Sequence, residues 1–245
     1  MSFLKMTKME IKLFLLEPLS VFFTLAFALL LLFVFGLIFG NDPFPGTTLG
    51  FLDIATPSYM AMIIGPTALM GIPVGLASYR DQGILRRFRA TPANVRILLG
   101  AQLFMHFLMT ALGIILLIVA GRLFYYVKMP ADYLGGAVAF VGSTVSFFAL
   151  GSVLTVIAPT ARTAQAVGMA PYFPMLSLSG AALPRQIMPA SVQRAAEFIP
   201  LTHVNLLLSD LWHGEGWRVA SLLVLGALLV AGVAITTFAI RRERE

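Results

Sequence analysis

Residues 79–96 read YRDQGILRRFRATPANVR. This stretch holds five arginines and one aspartate, and it joins two runs, 54–79 and 97–121, that contain no Asp, Glu, Lys or Arg. The runs are 26 and 25 residues long. A helix needs about 20 apolar residues to cross a hydrocarbon core of roughly 30 Å. A strongly basic loop between two such runs fixes the orientation of a membrane protein. Its apolar positions also suit docking to something outside the bilayer.

Four further uncharged runs, 18–41, 133–161, 163–184 and 219–240, have lengths of 24, 29, 22 and 22 residues. Six candidate spans leave about a hundred of the 245 residues for loops and ends, too few for a separate soluble domain. The composition agrees: 59% hydrophobic and 11% charged, against about a quarter charged in soluble domains. The sequence therefore predicts an all-α integral membrane protein forming a single transmembrane domain over 1–245. Its expected spans are about 19–39, 54–78, 97–120, 134–157, 163–183 and 219–240. No A-x-A site follows Leu19–Gly40, so the N-terminus is not read as a cleaved signal peptide. Cysteine is absent, which excludes disulfides and thiolate metal sites. The net charge of +6 lies at the ends of apolar runs, a distribution that fits membrane orientation and not nucleic-acid binding.

Both termini are expected in the cytoplasm. That arrangement places twelve Lys and Arg inside and five (Arg122, Lys128, Arg185, Arg194, Arg218) outside, as the positive-inside rule requires. In residues 1–17, Lys5, Lys8 and Lys12 share one helical face, with Leu4, Ile11 and Phe14 away from it. Two readings stand: an interfacial helix with lysines toward anionic headgroups, or a plain positive flank. Pro18 suits the first turn of the next helix. Gly36 and Gly40 form a GxxxG, for packing within the chain or between copies. The second span carries Pro57, Gly65, Pro66, Gly71, Pro73 and Gly75, so a bent, interior helix is expected. The third span aligns Gln102, His106 and Thr110 on one face, as a functional polar stripe or as packing hydrogen bonds. Gly121–Tyr133 reads as a loop. The small residues of the fourth span fit helix–helix contact. Pro171 and Pro174 make the fifth span irregular. The 184–218 segment is apolar for a loop, which implies short interfacial or re-entrant helices.

Within the basic loop, Asp81 is placed to cap a short helix beginning near Gln82 or Gly83. Ile84, Leu85 and Phe88 would form an apolar ridge and Arg86 and Arg89 a charged pair, with Thr91-Pro92 starting the following helix. The ridge fits a groove on a soluble partner or the bilayer interface equally well. The chain has no P-loop: its lysines are Lys5, Lys8, Lys12 and Lys128, and none follows a glycine. His106, His203 and His213 form no zinc motif. Ser177 and Ser179-Gly180 lack a G-x-S-x-G order, so an enzyme is not expected.

Three places in the sequence resemble the type-2 ABC-transporter permeases, the six-span membrane subunits of drug, polyketide, lipid and polysaccharide exporters. Glu17-Pro18-Leu-Ser-Val-Phe-Phe23 resembles the family's approach to its first span, with Ala28 where proline is common. Gly83-Ile-Leu-Arg-Arg-Phe-Arg-Ala-Thr-Pro92 resembles its G-x-L-x-R-L-x-x-T-P cytoplasmic loop, with Asp81 two positions before the glycine. Ser179-Gly180, Pro184, Pro189 and Pro200-Leu-Thr202 resemble its SG…P…P…PLT run. The resemblance implies a permease dimerising with a second copy in the cell inner (plasma) membrane. Two ATPase subunits would use ATP and magnesium, with no cofactor on this chain. Asp81, Gly83, Ile84, Leu85, Arg86, Arg87, Phe88, Arg89 and Pro92 would form the coupling helix. The N-terminal helix with Lys5, Lys8, Lys12 and Glu17 would brace the same ATPase. A path lined by Gly65, Pro66, Pro73, Gln102, His106, Thr110, Pro171 and Pro174 would carry an amphiphilic or hydrophobic substrate among membrane lipids. The alternative is an ATP-independent channel or secondary transporter. It is disfavoured by the absence of Asp or Glu within a span and of an inverted repeat.

Overall fold

The computed structural model describes residues 3–44, 48–84, 95–181 and 188–242. The fold is all-helical, and the one isolated β pairing among the described residues joins Pro43 and Gly50. Among the described residues the helices are α1 (Phe3–Leu15), α2 (Pro18–Phe39), α3 (Phe51–Asp81), α4 (Val95–Tyr125), α5 (Tyr133–Ile157), α6 (Ala161–Leu178), α7 (Ala190–Ala196), α8 (Pro200–His213) and α9 (Val219–Arg242). Five of these, α2, α3, α4, α5 and α9, are long and apolar enough to cross a membrane. The expected fifth span, 163–183, is represented by α6, which is 18 residues long and is not among the five. Arg162, Gln165, Pro171 and Pro174 lower its apolar content, and at 1.5 Å per residue it covers only about 27 Å.

Helix α3 is the axis of the fold. Of its apolar window 83% is buried, against 17% for α9, so α3 is enclosed by protein while α9 lies at the periphery. Every residue from Ala55 to Pro73 is buried. Between Thr67 and Gly71 the helix widens into a π turn, in which the Ile72 N–H bonds the Thr67 carbonyl. That bond takes Ile72, the ordinary i+4 donor, away from the Ala68 carbonyl, and Pro73 has no N–H to replace it. Gly151 of α5 comes against that carbonyl, and Gly168 of α6 against the carbonyl of Leu69. Close backbone approach at glycine lets Cα–H groups face these oxygens. A second π turn, Phe22–Ala26, interrupts α2, and Gly113 of α4 sits against its Thr24 carbonyl. The Thr24 and Thr67 hydroxyls join the two π turns at 3.0 Å.

Several sequence boundaries move. Asp53 lies inside the first turn of α3, where its carboxylate accepts the Gly50 N–H at 3.0 Å, the reciprocal half of a capping box. Helix α4 runs to Tyr125, so Gly121–Tyr125, expected as loop, is helical. Arg122 sits in the last turn, where a cation complements the helix dipole. Gly36 of the GxxxG receives the Tyr125 ring from within the same chain, and Gly40 ends α2 with φ +64°.

Helices α3 and α4, at 31 residues each, measure about 46 Å and exceed a hydrocarbon core of about 30 Å. Helices α2 and α4 finish together, since Tyr125 donates to the Phe33 carbonyl at 3.2 Å. The surplus length of α4 therefore extends past the start of α2, and α1 packs along it. Met6 clusters with Tyr79, Leu98 and Ala101, and Phe14 with Met105 and Met109. Lys5, Lys8 and Lys12 are exposed as expected, but the buried face is Met6, Thr7, Glu10 and Phe14, while Leu4 is 75% exposed. The inward face is thus set by the α3 and α4 side chains and not by lipid.

Candidate coupling and transport surfaces

The end at which α3 finishes carries three consecutive bonds to three different helices. The Tyr79 hydroxyl donates to both carboxylate oxygens of Glu10 on α1. Arg80 Nη1 donates to the Thr155 carbonyl in the last turn of α5 at 2.9 Å. Asp81 Oδ2 accepts the Ala161 N–H at the first turn of α6, at 3.0 Å. The expected role of Asp81 as cap of a helix starting near Gln82 is therefore corrected. Asp81 is the last residue of α3, and its carboxylate serves a helix N-terminus 80 positions further on. Gly83 then turns the chain with φ +63°, its N–H bonding Arg80 O at 3.0 Å. Ile84 is partly buried against the Met6–Tyr79 cluster. Leu85, Arg86, Arg87, Phe88, Arg89, Thr91 and Pro92 lie outside the described residues.

Glu10 is only 2% exposed. Burial pushes its carboxyl above the ordinary value of 4.5, the Tyr79 bond acts in the opposite direction, and Glu17 adds to the rise. An acid with a raised folded pKa favours the folded state most when protonated. The stabilisation is full below the ordinary value and is lost as pH rises through the raised one. Glu10→Gln keeps an acceptor for Tyr79 and removes the charge. We expect its thermal unfolding in detergent to vary less with pH from about 5 to 8 than that of the wild type, with higher stability at the upper end.

The polar stripe of α4 fits into notches on α3. Gly71 faces the His106 ring and Gly75 the Gln102 amide, so that a Cβ at either glycine would collide with the polar group. His106 also meets the Phe14 ring edge-on, with centroids 5.9 Å apart. Thr110 donates to the His106 carbonyl at 2.8 Å. Gln102, His106 and Thr110 are all buried. Gly65 faces the Tyr172 ring of α6. Pro66 and Pro73 lie within the buried stretch of α3, Pro171 is half-buried, and Pro174 is exposed.

A cavity of about 270 Å³ opens between the start of α2, the π turn of α3 and Gln165 of α6. Leu16, Leu19, Phe23, Met70 and Val74 give it apolar walls, with Glu17, Ser20, Thr24 and Thr67 as polar groups. Ser20 donates to Glu17 at 3.1 Å. Both π turns contribute residues, so the irregular backbone of α2 and α3 lines the same space. A second cavity of about 210 Å³, between α3 and α8, is lined by Ser58, Tyr59, Asn205, Asp210, His213 and Arg218, among others.

At the opposite end Asp53 is buried and gathers the connecting segments. Its Oδ1 accepts Asn41 Nδ2 at 3.1 Å and the Lys128 N–H at 2.8 Å, while Asn41 Oδ1 accepts the Asp53 N–H at 3.1 Å. Helix α8 completes this end. His213 bonds the Asp53 carbonyl at 3.2 Å, Asn205 donates to Ser179 O at 3.2 Å, and Asp210 pairs with Arg218 through both oxygens at 2.5 and 3.1 Å. That pairing holds the Arg218 guanidinium pKa above its usual range.

A family profile described as ABC-2 type transporter matches residues 1–210, from α1 to within α8. The chain belongs to the ABC-2 type transporter family. Comparison with curated proteins gave no match. The ABC-2 assignment makes this chain a multi-pass membrane protein and the transporter permease subunit of an ABC system, a family that works with a partner ABC ATPase. The Ser179 hydroxyl donates to Leu176 O and accepts the Ala181 N–H, whereas His106 packs on Gly71 and Phe14. Sequence reasoning missed Asp53, Glu10 and the Arg80–Thr155 bond. For Asp53 a signal existed, a Gly-x-x-Asp spacing at a helix start. The other two depend on partners 69 and 75 positions away.

Proposed function

We propose that the chain is the permease of an ATP-driven exporter in the cell inner membrane, a single domain with both termini cytoplasmic. It pairs with a second copy and takes its drive from a separate ATPase seated on the 80–92 loop. The observation that carries this reading is the convergence of α1, α3 and α4 at the root of that loop. Met6, Tyr79, Leu98 and Ala101 are packed together there, and Ile84 closes against them. A force on the loop meets a packed three-helix stem instead of a loose connection. The coupling residues are Leu85 and Phe88 with Asp81, Gly83, Ile84, Arg86, Arg87, Arg89 and Pro92. Lys5, Lys8, Lys12 and Glu17 on and after α1 brace the same ATPase. The cavity at Glu17, Phe23 and Gln165, mostly apolar with a few polar groups, suits one end of an amphiphilic cargo drawn from the bilayer.

Replacing both Leu85 and Phe88 with Asp is expected to leave the chain in the membrane and to reduce recovery of the ATPase on affinity purification by at least about tenfold. This follows from burying two charges where an apolar ridge should dock. ATP turnover by the purified assembly should fall with it. Full recovery of the ATPase with normal turnover would remove the loop from coupling. An ATP-independent channel would bring down no ATPase from either protein.

A further inference from the structure

Three neighbouring residues bond three separate helices at the end of α3: Tyr79 to α1, Arg80 to α5 and Asp81 to α6. We propose that Tyr79–Arg80–Asp81 is a distributor that passes movement of the basic loop into α1, α5 and α6 together, with the Asp81–Ala161 bond as the link that displaces α6. The proposal rests on the reading that an ATPase acts on the loop.

The charges are matched to what they hold. A guanidinium meets a carbonyl in the last turn of α5 and a carboxylate meets the first N–H of α6, the two favourable directions of the helix dipole. The intervening turn is three residues long, Ala158 to Thr160. Ala158 is fully buried in a cluster with Ala77 and Ala164, so small side chains bring α3, this turn and α6 into close contact. Both sides of the turn are thus fixed to consecutive residues of α3, and the turn follows any displacement of them as a body. Helix α6 next meets α3 where Gly168 lies against Leu69, about 10 Å along its axis. Displacement at Ala161 therefore acts on a helix held at a second point, and its far end carries Tyr172 and Ser179. The Asp81–Ala161 bond is solvent-exposed, so it adds little to stability and its loss should spare the fold. What it fixes is where α6 begins.

The test uses the full chain assembled with its ATPase in lipid nanodiscs. The protein has no cysteine, so Ser177→Cys, at an exposed position near the end of α6, takes a single environment-sensitive thiol dye. Addition of ATP and vanadate should shift the dye's emission. Ala161→Pro in this background should abolish the shift while ATP hydrolysis and thermal unfolding stay unchanged; Asp81→Ala should abolish the shift as well, and the two together should be no worse than either. Proline removes the donor at the first helical position, where it is tolerated. The preceding Thr160 is already extended at φ −124°, ψ 160°, as a residue before proline must be. Ala161→Ser, which keeps the N–H, should respond fully. If Asp81→Ala fails to fold, Ala161→Pro decides alone. A normal shift in Ala161→Pro overturns the distributor and leaves the loop reading standing. Absence of a shift in Ser177→Cys alone, or of any ATPase complex, overturns the loop reading and the distributor with it.

Discussion

Gly151→Leu should leave little folded protein in the membrane. Gly151 lies on α5 against the backbone carbonyl of Ala68, and even a Cβ would fall far inside van der Waals contact with that oxygen. The obstacle is main chain in the middle of α3, the most buried helix, so no rotamer change relieves it. Forcing a whole side chain into such a contact costs at least about 3 kcal/mol. The helix shift needed to relieve it would also break the approach of Gly168 to Leu69 one residue further along α3. Gly168→Leu should therefore behave similarly. Gly142 lies about two and a half turns before Gly151 on the same helix, and nothing would come within 4 Å of its Cβ. Gly142→Ala should be neutral or stabilising by up to about 1 kcal/mol, the helical preference for alanine. Expression level and thermal unfolding of the three variants in detergent measure the contrast. If Gly151→Leu unfolded within a few degrees of wild type, α5 would not pack on the π turn.

That packing shows what the sequence could and could not reveal. Uncharged runs found α2, α3, α4, α5 and α9 because a helix in lipid must be long, apolar and internally hydrogen-bonded. The same rule cut α3 at residue 54 and α4 at residue 121, since Asp53 and Arg122 are charged. It could not foresee that both would be satisfied by neighbouring backbone groups. The prolines at 66 and 73 announced a break in α3. The π turn of α2 has no proline to announce it, and its partner Gly113 lies on another helix. Lysine spacing identified the exposed face of α1, but Thr7 and Glu10 face inward because Tyr79, Leu98 and their neighbours wait there. Asp81 was misassigned for a related reason. An N-cap is ordinarily local, so the nearest downstream residues were credited with a carboxylate that serves Ala161. The α3–α4 connection could be read as basic and ridged, whereas the bonds from the end of α3 to α1, α5 and α6 are tertiary and leave no periodic trace.

The second large effect is expected at the other end of α3. Asp53 is 2% exposed, yet its carboxylate accepts from Gly50 N–H, Asn41 Nδ2 and Lys128 N–H. One side chain thus fixes the segment after α2 and the segment after α4 to the start of α3. The Asp53 carbonyl, engaged by His213, adds α8 to the same point. Asp53→Ala removes the acceptor and leaves these donors facing a void. With buried donors costing about 1–3 kcal/mol each when unpaired, the loss should be about 3 kcal/mol or more. Asp53→Asn tests whether the shape alone suffices. Its amide must turn an NH2 toward at least one donor that the carboxylate oxygens now satisfy, so a nearly isosteric change should still be costly. Both variants should unfold at lower temperature and become open to protease within 41–50 and 126–132, while cleavage near α1 stays as in the wild type. Local exposure of that kind separates loss of the Asp53 centre from general unfolding. A wild-type protease pattern in Asp53→Asn would mean that the connecting segments hold their positions without the carboxylate.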